Sequence, residues 1–338
     1  MEDFTNAIIR PPRIDYGVND LGPAIGYINE KPVTRTDFEV SNDRNLTLKC
    51  SVFYPTEYEI TSGRLPCVVY CHANAGCRLE CFTILSPLLK ADICVVAFDF
   101  AGCGVSDGSY ISLGFNEIHD LTAVMEYITK QYKFKQIVLW GRSMGASTAL
   151  IYASTHRNIC GMILDSPFSR LSTVVDDIAR EVNVPCGCCF IPIGKKRMQQ
   201  TVLKLTGMNV NTYAPVEKAR SCTAPLLLAH GRTDHLISIS QSQDLFTRYG
   251  GTDKKFMVLE GDHNDIRDDQ FLTACLAFIR RVTSSDPTQT SQSHNDNPDL
   301  SAPSAEMEEV SPQTQINASS APRHGFTGGQ SSDEYHRL

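Results

Sequence analysis

The chain has 338 residues, a formal net charge of −7 and 42% hydrophobic residues. That length can bury one large core or two smaller ones, and the mild net acidity does not point to a nucleic-acid binder, which would normally show a basic face. No run approaches the ~18 uninterrupted apolar residues of a membrane-spanning helix.

The N-terminus reads MEDFTNAIIRPPR, without the basic start and apolar run of a secretory leader. Residue 2 is Glu rather than the Gly of a myristoylation site. The 13 cysteines are odd in number and scattered, which implies reduced thiols and a cytoplasmic location. In that setting the glycosylation sequons at Asn45 and Asn317 go unused.

From about Phe38 to Val282 short apolar runs alternate with segments of helical length. Strands are expected over residues 46–54, 67–72, 94–100, 136–141, 161–165, 225–231 and 255–261. Runs such as CVVYC, CVVAF and IVLW are apolar throughout, as in strands of a parallel sheet covered on both faces. Helices are expected over 79–90, 116–131, 143–154, 239–249 and 270–282. In the second, Ile118, Leu121, Val124, Met125 and Ile128 form one apolar stripe. The alternation specifies an α/β fold, doubly wound around a mostly parallel sheet.

Residues 168–213 are too long for a simple connection and read as a lid, with helical pieces at 171–182 and 198–205. The domain is therefore drawn over 34–283, after an N-terminal extension of 1–33. Residues 284–338 are rich in Ser, Pro, Gln, Asn and Asp and are expected to be a disordered tail.

Gly141-Arg142-Ser143-Met144-Gly145 fits the G-x-S-x-G pattern of a nucleophile elbow, with a strand before it and a helix after it. A serine hydroxyl needs a base, and the base needs an orienting acid. On this topology the chain order should be serine, acid, histidine. Asp234 follows one later strand and His263 the next, which makes Ser143, Asp234 and His263 the candidate triad. Asp165 is the rival acid, because it too ends a central strand; His235 is the rival imidazole but follows the wrong strand. His119 and His156 lie on helices, His294, His324 and His336 lie in the tail, and Asp262 and Asp265 read as solvated loop charges. The oxyanion donors are expected to be the backbone N–H of Met144 and that of Asn74 in the His72-Ala73-Asn74-Ala75-Gly76 loop, with Ala73 next in order.

The motifs HANAG, DFAGCGVS, GRSMG, HGRTD and GDH, in that order over about Phe38 to Val282, resemble the alpha/beta-hydrolase superfamily. DSPFS at 165–169 and GRSMG look most like serine aminopeptidase S33-type domains, plant-type hydrolases of unknown substrate and protein depalmitoylases. The family usually has glycine where Ala73 stands, which would strain the loop if that position needs positive φ.

The resemblance implies hydrolysis of an ester, thioester or amide through an acyl-enzyme, with no metal or organic cofactor. Small-molecule or acyl-protein substrates are expected ahead of peptides. Asp176, Asp177 and Glu181 keep an aminopeptidase open, and a non-catalytic binding protein is the remaining alternative. Cys186, Cys188 and Cys189, followed by Lys195-Lys196-Arg197, are read as buried lid thiols, with S-acylation and peripheral membrane contact as the other reading. Cys71, His72, Cys77 and Cys81 match no zinc-finger spacing.

Overall fold

The computed structural model of the protein describes residues 2–10, 12–181 and 190–284. The lid cysteines Cys186, Cys188 and Cys189 and the tail from residue 285 lie outside the described residues.

Among the described residues, nine strands form one sheet: β1 (Ile25–Ile28), β2 (Lys31–Ser41), β3 (Thr47–Pro55), β4 (Cys67–Cys71), β5 (Cys94–Phe98), β6 (Ile137–Arg142), β7 (Gly161–Asp165), β8 (Leu226–Gly231) and β9 (Lys254–Leu259). Their order is β1-β2-β3-β5-β4-β6-β7-β8-β9. The strands from β4 to β9 are parallel to one another, and β1 to β3 join antiparallel, β3 pairing with β5. The seven expected strands are present with ends shifted by at most two residues.

Strands β1 and β2 were not expected, and residues 25–33, assigned to the extension, belong to the sheet. The reason is chemical. Arg35, Asp37 and Glu39 interrupt β2, so it has no apolar run, and Pro32 stands at its start beside the short edge strand β1.

Successive side chains of each central strand point to opposite faces. Cys67, Val69 and Cys71 of β4 join one core with Phe98, Leu139 and Leu228, whereas Val68 and Tyr70 join the other with Val95, Trp140 and Leu227. The first face is covered by α3 (Glu117–Gln131) and α4 (Met144–Thr155), the second by α2 (Phe82–Lys90) and α9 (Asp269–Thr283). Covering both faces explains why the central strands are apolar throughout, each fully buried large side chain contributing about 1.5–3 kcal/mol. The remaining helices are α1 (Glu2–Ile9), α5 (Leu171–Glu181), α6 (Phe190–Thr206), α7 (Val216–Ala219) and α8 (Ile239–Arg248). Helix α6 begins eight residues before the expected 198. Among the described residues, no helix is long and apolar enough to cross a membrane.

The N-terminal segment is tied to the loop after β5. Arg13 donates to the carbonyls of Cys103, Gly104, Ser106 and Gly108. Tyr16 donates to the buried Asp99 carboxylate at 2.5 Å, and Asp99 also accepts the amides of Arg78 and Val105. The DFAGCGVS motif is thus a folding device at this end of the sheet. Of the ten cysteines among the described residues, all except Cys160 are buried. Burial pushes the Cys77 and Cys222 thiols up to about 12.

Candidate active site

Strand β6 ends in a turn that only certain residues permit. Ser143 has φ 52° and ψ −113°, a left-handed backbone that side chains rarely adopt. A Cβ on Gly141 would overlap the backbone of Gly145 and Ala146, and one on Gly145 would overlap the carbonyls of Cys71 and His72. Both glycines are required because α4 leaves the strand at such close quarters. The Ser143 amide donates to the Asp165 carbonyl at 2.8 Å, fixing the turn against β7.

The loops after β8 and β9 bring their residues to the same edge. His263 Nε2 stands 3.0 Å from Ser143 Oγ, and His263 Nδ1 stands 2.6 Å from Asp234 Oδ2. With Nδ1–H donating to the carboxylate, Nε2 is left to accept the serine hydroxyl. Asp234 Oδ1 accepts the amides of Leu236 at 3.0 Å and Ile237 at 2.7 Å. Burial favours the neutral acid, but hydrogen bonds from His230 and His263 outweigh it and hold the Asp234 carboxyl well below the usual carboxylate range.

The rivals go elsewhere. The Asp165 carboxylate is gripped by both arms of the Arg267 guanidinium at 2.8 and 3.0 Å. His235 is exposed and lies 3.2 Å from Asp262. His119 pairs with Asp43, and His156 stacks on Tyr152. Cys71, Cys77 and Cys81 enter three separate apolar clusters.

Met144 opens α4, where first-turn amides lack intrahelical acceptors and the helix dipole favours negative charge. In the loop after β4, the Ala73 amide is already committed to Glu80 Oε2 at 3.2 Å, which favours Asn74 as the loop's donor. Glu80 is fixed in turn by the Tyr70 hydroxyl at 2.9 Å. His72 donates from Nδ1 to the Ala73 carbonyl at 2.7 Å and accepts the Phe100 amide at Nε2. The left-handed position is Ala75, at φ 59°, and not Ala73. The missing glycine at 73 therefore costs nothing; the strain sits two residues on.

Several residues of this site were not singled out in the sequence, although His230 opens the HGRTD motif. His230, buried in β8, donates from Nε2 to the Ile237 carbonyl at 2.8 Å and lies 3.3 Å from Asp234 Oδ2. Its position next to a glycine ending an apolar strand was the available signal. Glu80 and Arg267 gave none, since each sits in a sequence that reads as ordinary surface, and Arg142 occupies a position that the elbow pattern leaves free.

A sequence profile described as the alpha/beta hydrolase fold matches residues 66–183. The chain is 23% identical over 227 residues to the uncharacterized protein YfhR of Salmonella typhi, covering 63% of this chain and 69% of that one. A putative alpha/beta hydrolase of Acanthamoeba polyphaga mimivirus is 24% identical, over 60% of this chain and 68% of its own. Among solved structures, the esterase Pf2001 of Pyrococcus furiosus superposes with a TM-score of 0.62 at 22% identity, covering 81% of this chain and 98% of the esterase. The acetyl xylan esterase of Paenibacillus sp. R4 gives a TM-score of 0.58 at 15% identity, over 83% and 99% of the two chains.

Proposed function

For a chain that has the alpha/beta-hydrolase fold, with a serine, a histidine and an aspartate hydrogen-bonded in sequence at the sheet edge, we propose serine hydrolase chemistry on carboxylic esters or thioesters. The observation that carries this reading is the continuous path from Ser143 Oγ through the His263 imidazole to the Asp234 carboxylate.

Ser143 Oγ attacks the acyl carbonyl while His263 Nε2 takes the hydroxyl proton, and the carbonyl π electrons move onto oxygen. The Met144 and Asn74 amides stabilise that oxyanion. When it collapses, the bond to the leaving alkoxide or thiolate breaks and His263 returns the proton to it. Water then repeats the sequence on the acyl-enzyme and frees the acid and Ser143. Asp234 stays ionised throughout, keeping Nδ1 protonated and stabilising the imidazolium.

The likeness to an esterase and an acetyl xylan esterase favours esters over peptides as the substrate class. An S33-type aminopeptidase would need a free carboxylate for the substrate amine, and Asp176 is paired with Lys195. A purely binding role leaves the strained serine and its base without a purpose. A fluorophosphonate probe tests the reading: it should label wild-type protein, with labelling and p-nitrophenyl ester hydrolysis both lost in Ser143→Ala. Labelling that survives the substitution removes Ser143 as the nucleophile.

A further inference from the structure

The base in this site has two attachments, and the triad accounts for only one. Asp234 holds the imidazole ring. The backbone of His263 is held separately, by two arginines that the proposed reaction does not use.

Arg142, the second residue of the elbow, donates from one Nη to the carbonyls of His263 at 2.8 Å and Asp265 at 3.0 Å. Arg267 donates to the carbonyls of Asp262 at 2.9 Å and His263 at 3.3 Å. Its other contacts go to Asp165, through Nε to Oδ2 at 2.8 Å and an Nη to Oδ1 at 3.0 Å, and to Ser166 Oγ at 3.3 Å. Both partners in this ion pair are almost completely buried, with side-chain exposures of 7% and 3%. Arg142 Nε lies 3.9 Å from the same carboxylate.

Asp165 is therefore attached to both reacting side chains through their backbones. Its carbonyl takes the Ser143 amide at 2.8 Å, and its carboxylate seats the guanidinium that holds the His263 carbonyl. A planar five-donor fork suits the task, because it can grip a carboxylate with two arms and still reach two carbonyls. The path from nucleophile to base runs through one rigid strand end instead of through two independent loops.

We propose that Arg267, seated on Asp165 and assisted by Arg142, is a positioning residue that holds the backbone of His263 and so keeps its Nε2 within reach of Ser143. This rests on the Ser143–His263–Asp234 reading of the site. A displacement of about 1 Å between reacting groups costs on the order of 10²-fold in rate. Loss of the clamp should act on turnover and leave ground-state binding alone.

The test compares Arg267→Met and Arg267→Lys in the wild-type and His263→Ala backgrounds, using p-nitrophenyl ester hydrolysis and thermal unfolding. In the wild-type background Arg267→Met should lower kcat on the order of 10²-fold with KM within about twofold. Arg267→Lys, which keeps the charge and one head of donors, should recover about tenfold of that loss and so remain about tenfold below wild type. In the His263→Ala background Arg267→Met should change the residual rate by less than about twofold, since no base is left to position. The proposal is overturned if Arg267→Met keeps wild-type kcat, or if it lowers the His263→Ala rate as much as the wild-type rate. Should Arg267→Met not fold, Arg267→Lys decides by the same two comparisons, a wild-type kcat or an equal loss in both backgrounds counting against. Failure of the triad reading is separately visible, because His263→Ala and Ser143→Ala would then retain activity.

Discussion

Strands β7 and β8 lie side by side in the sheet, and each leads into an aspartate with a buried side chain, Asp165 at the end of β7 and Asp234 three residues after β8. Asp165 meets a guanidinium, whereas Asp234 meets two imidazoles and two backbone amides. One carboxylate reaches the ring of His263 directly; the other reaches its backbone through Arg267. The same residue type at adjacent strand ends thus does two jobs, separated by what the neighbouring loop supplies. The ends of β6 and β7 are also strained, with Ser143 and Ser166 at φ 52°. Strain of this kind persists only where surrounding bonds over-determine it.

Replacing each carboxylate by its amide separates the two roles most sharply. Asp234→Asn presents an NH2 group to the Nδ1–H of His263, two donors face to face. The imidazole then turns to the other tautomer, with Nε2 protonated against Ser143. Hydrolysis should fall by about 10³–10⁴-fold. Asp165→Asn still accepts from Arg267 through its remaining oxygen, so a loss of about tenfold is expected from the loosened clamp. Steady-state kinetics on both proteins checks the order, and a larger loss in Asp165→Asn would exchange their roles.

A smaller effect lies in stability. Because the folded state depresses the Asp234 pKa, its ionised contacts add stability above the ordinary carboxylate value of 3.8 and lose it as pH falls from there toward the lower folded value. Urea unfolding should find wild-type protein more stable than Asp234→Asn at pH 7, by about 1–3 kcal/mol, and the gap should narrow at pH 3. A gap that widens on acidification would mean that Asp234 is not held ionised. The smallest effect is expected at His235, whose exposed pairing with Asp262 is worth little in water. His235→Gln should hydrolyse esters within about twofold of wild type, and a severe loss would make His235 the base.

The convergence of Ser143, Asp234 and His263 was legible because each follows a recognisable strand, and strand ends on a parallel sheet meet at one edge whatever lies between them. The supporting groups were not. Arg267 stands in DIRDD, which reads as a solvated charge run, and only tertiary contact turns it inward toward Asp165. His230 reads as one more residue of a buried strand until Asp234 folds back over it. The left-handed residue of the loop after β4 depends on how Glu80 and His72 draw in the backbone, which no local pattern records.

The buried thiols of the sheet have a practical consequence. Cys67 and Cys94 sit opposite each other on β4 and β5, and Cys275 lies in α9 on the far face. Each is closed off from solvent and protonated, since burial raises all three thiols well above their ordinary value. A disulfide reagent can reach them only when the surrounding strand or helix opens, so the rate of modification at each cysteine clocks the opening of its own element. The protein carries a set of internal stopwatches, and mass spectrometry of partly modified molecules would time the opening of the sheet against that of its outer helix.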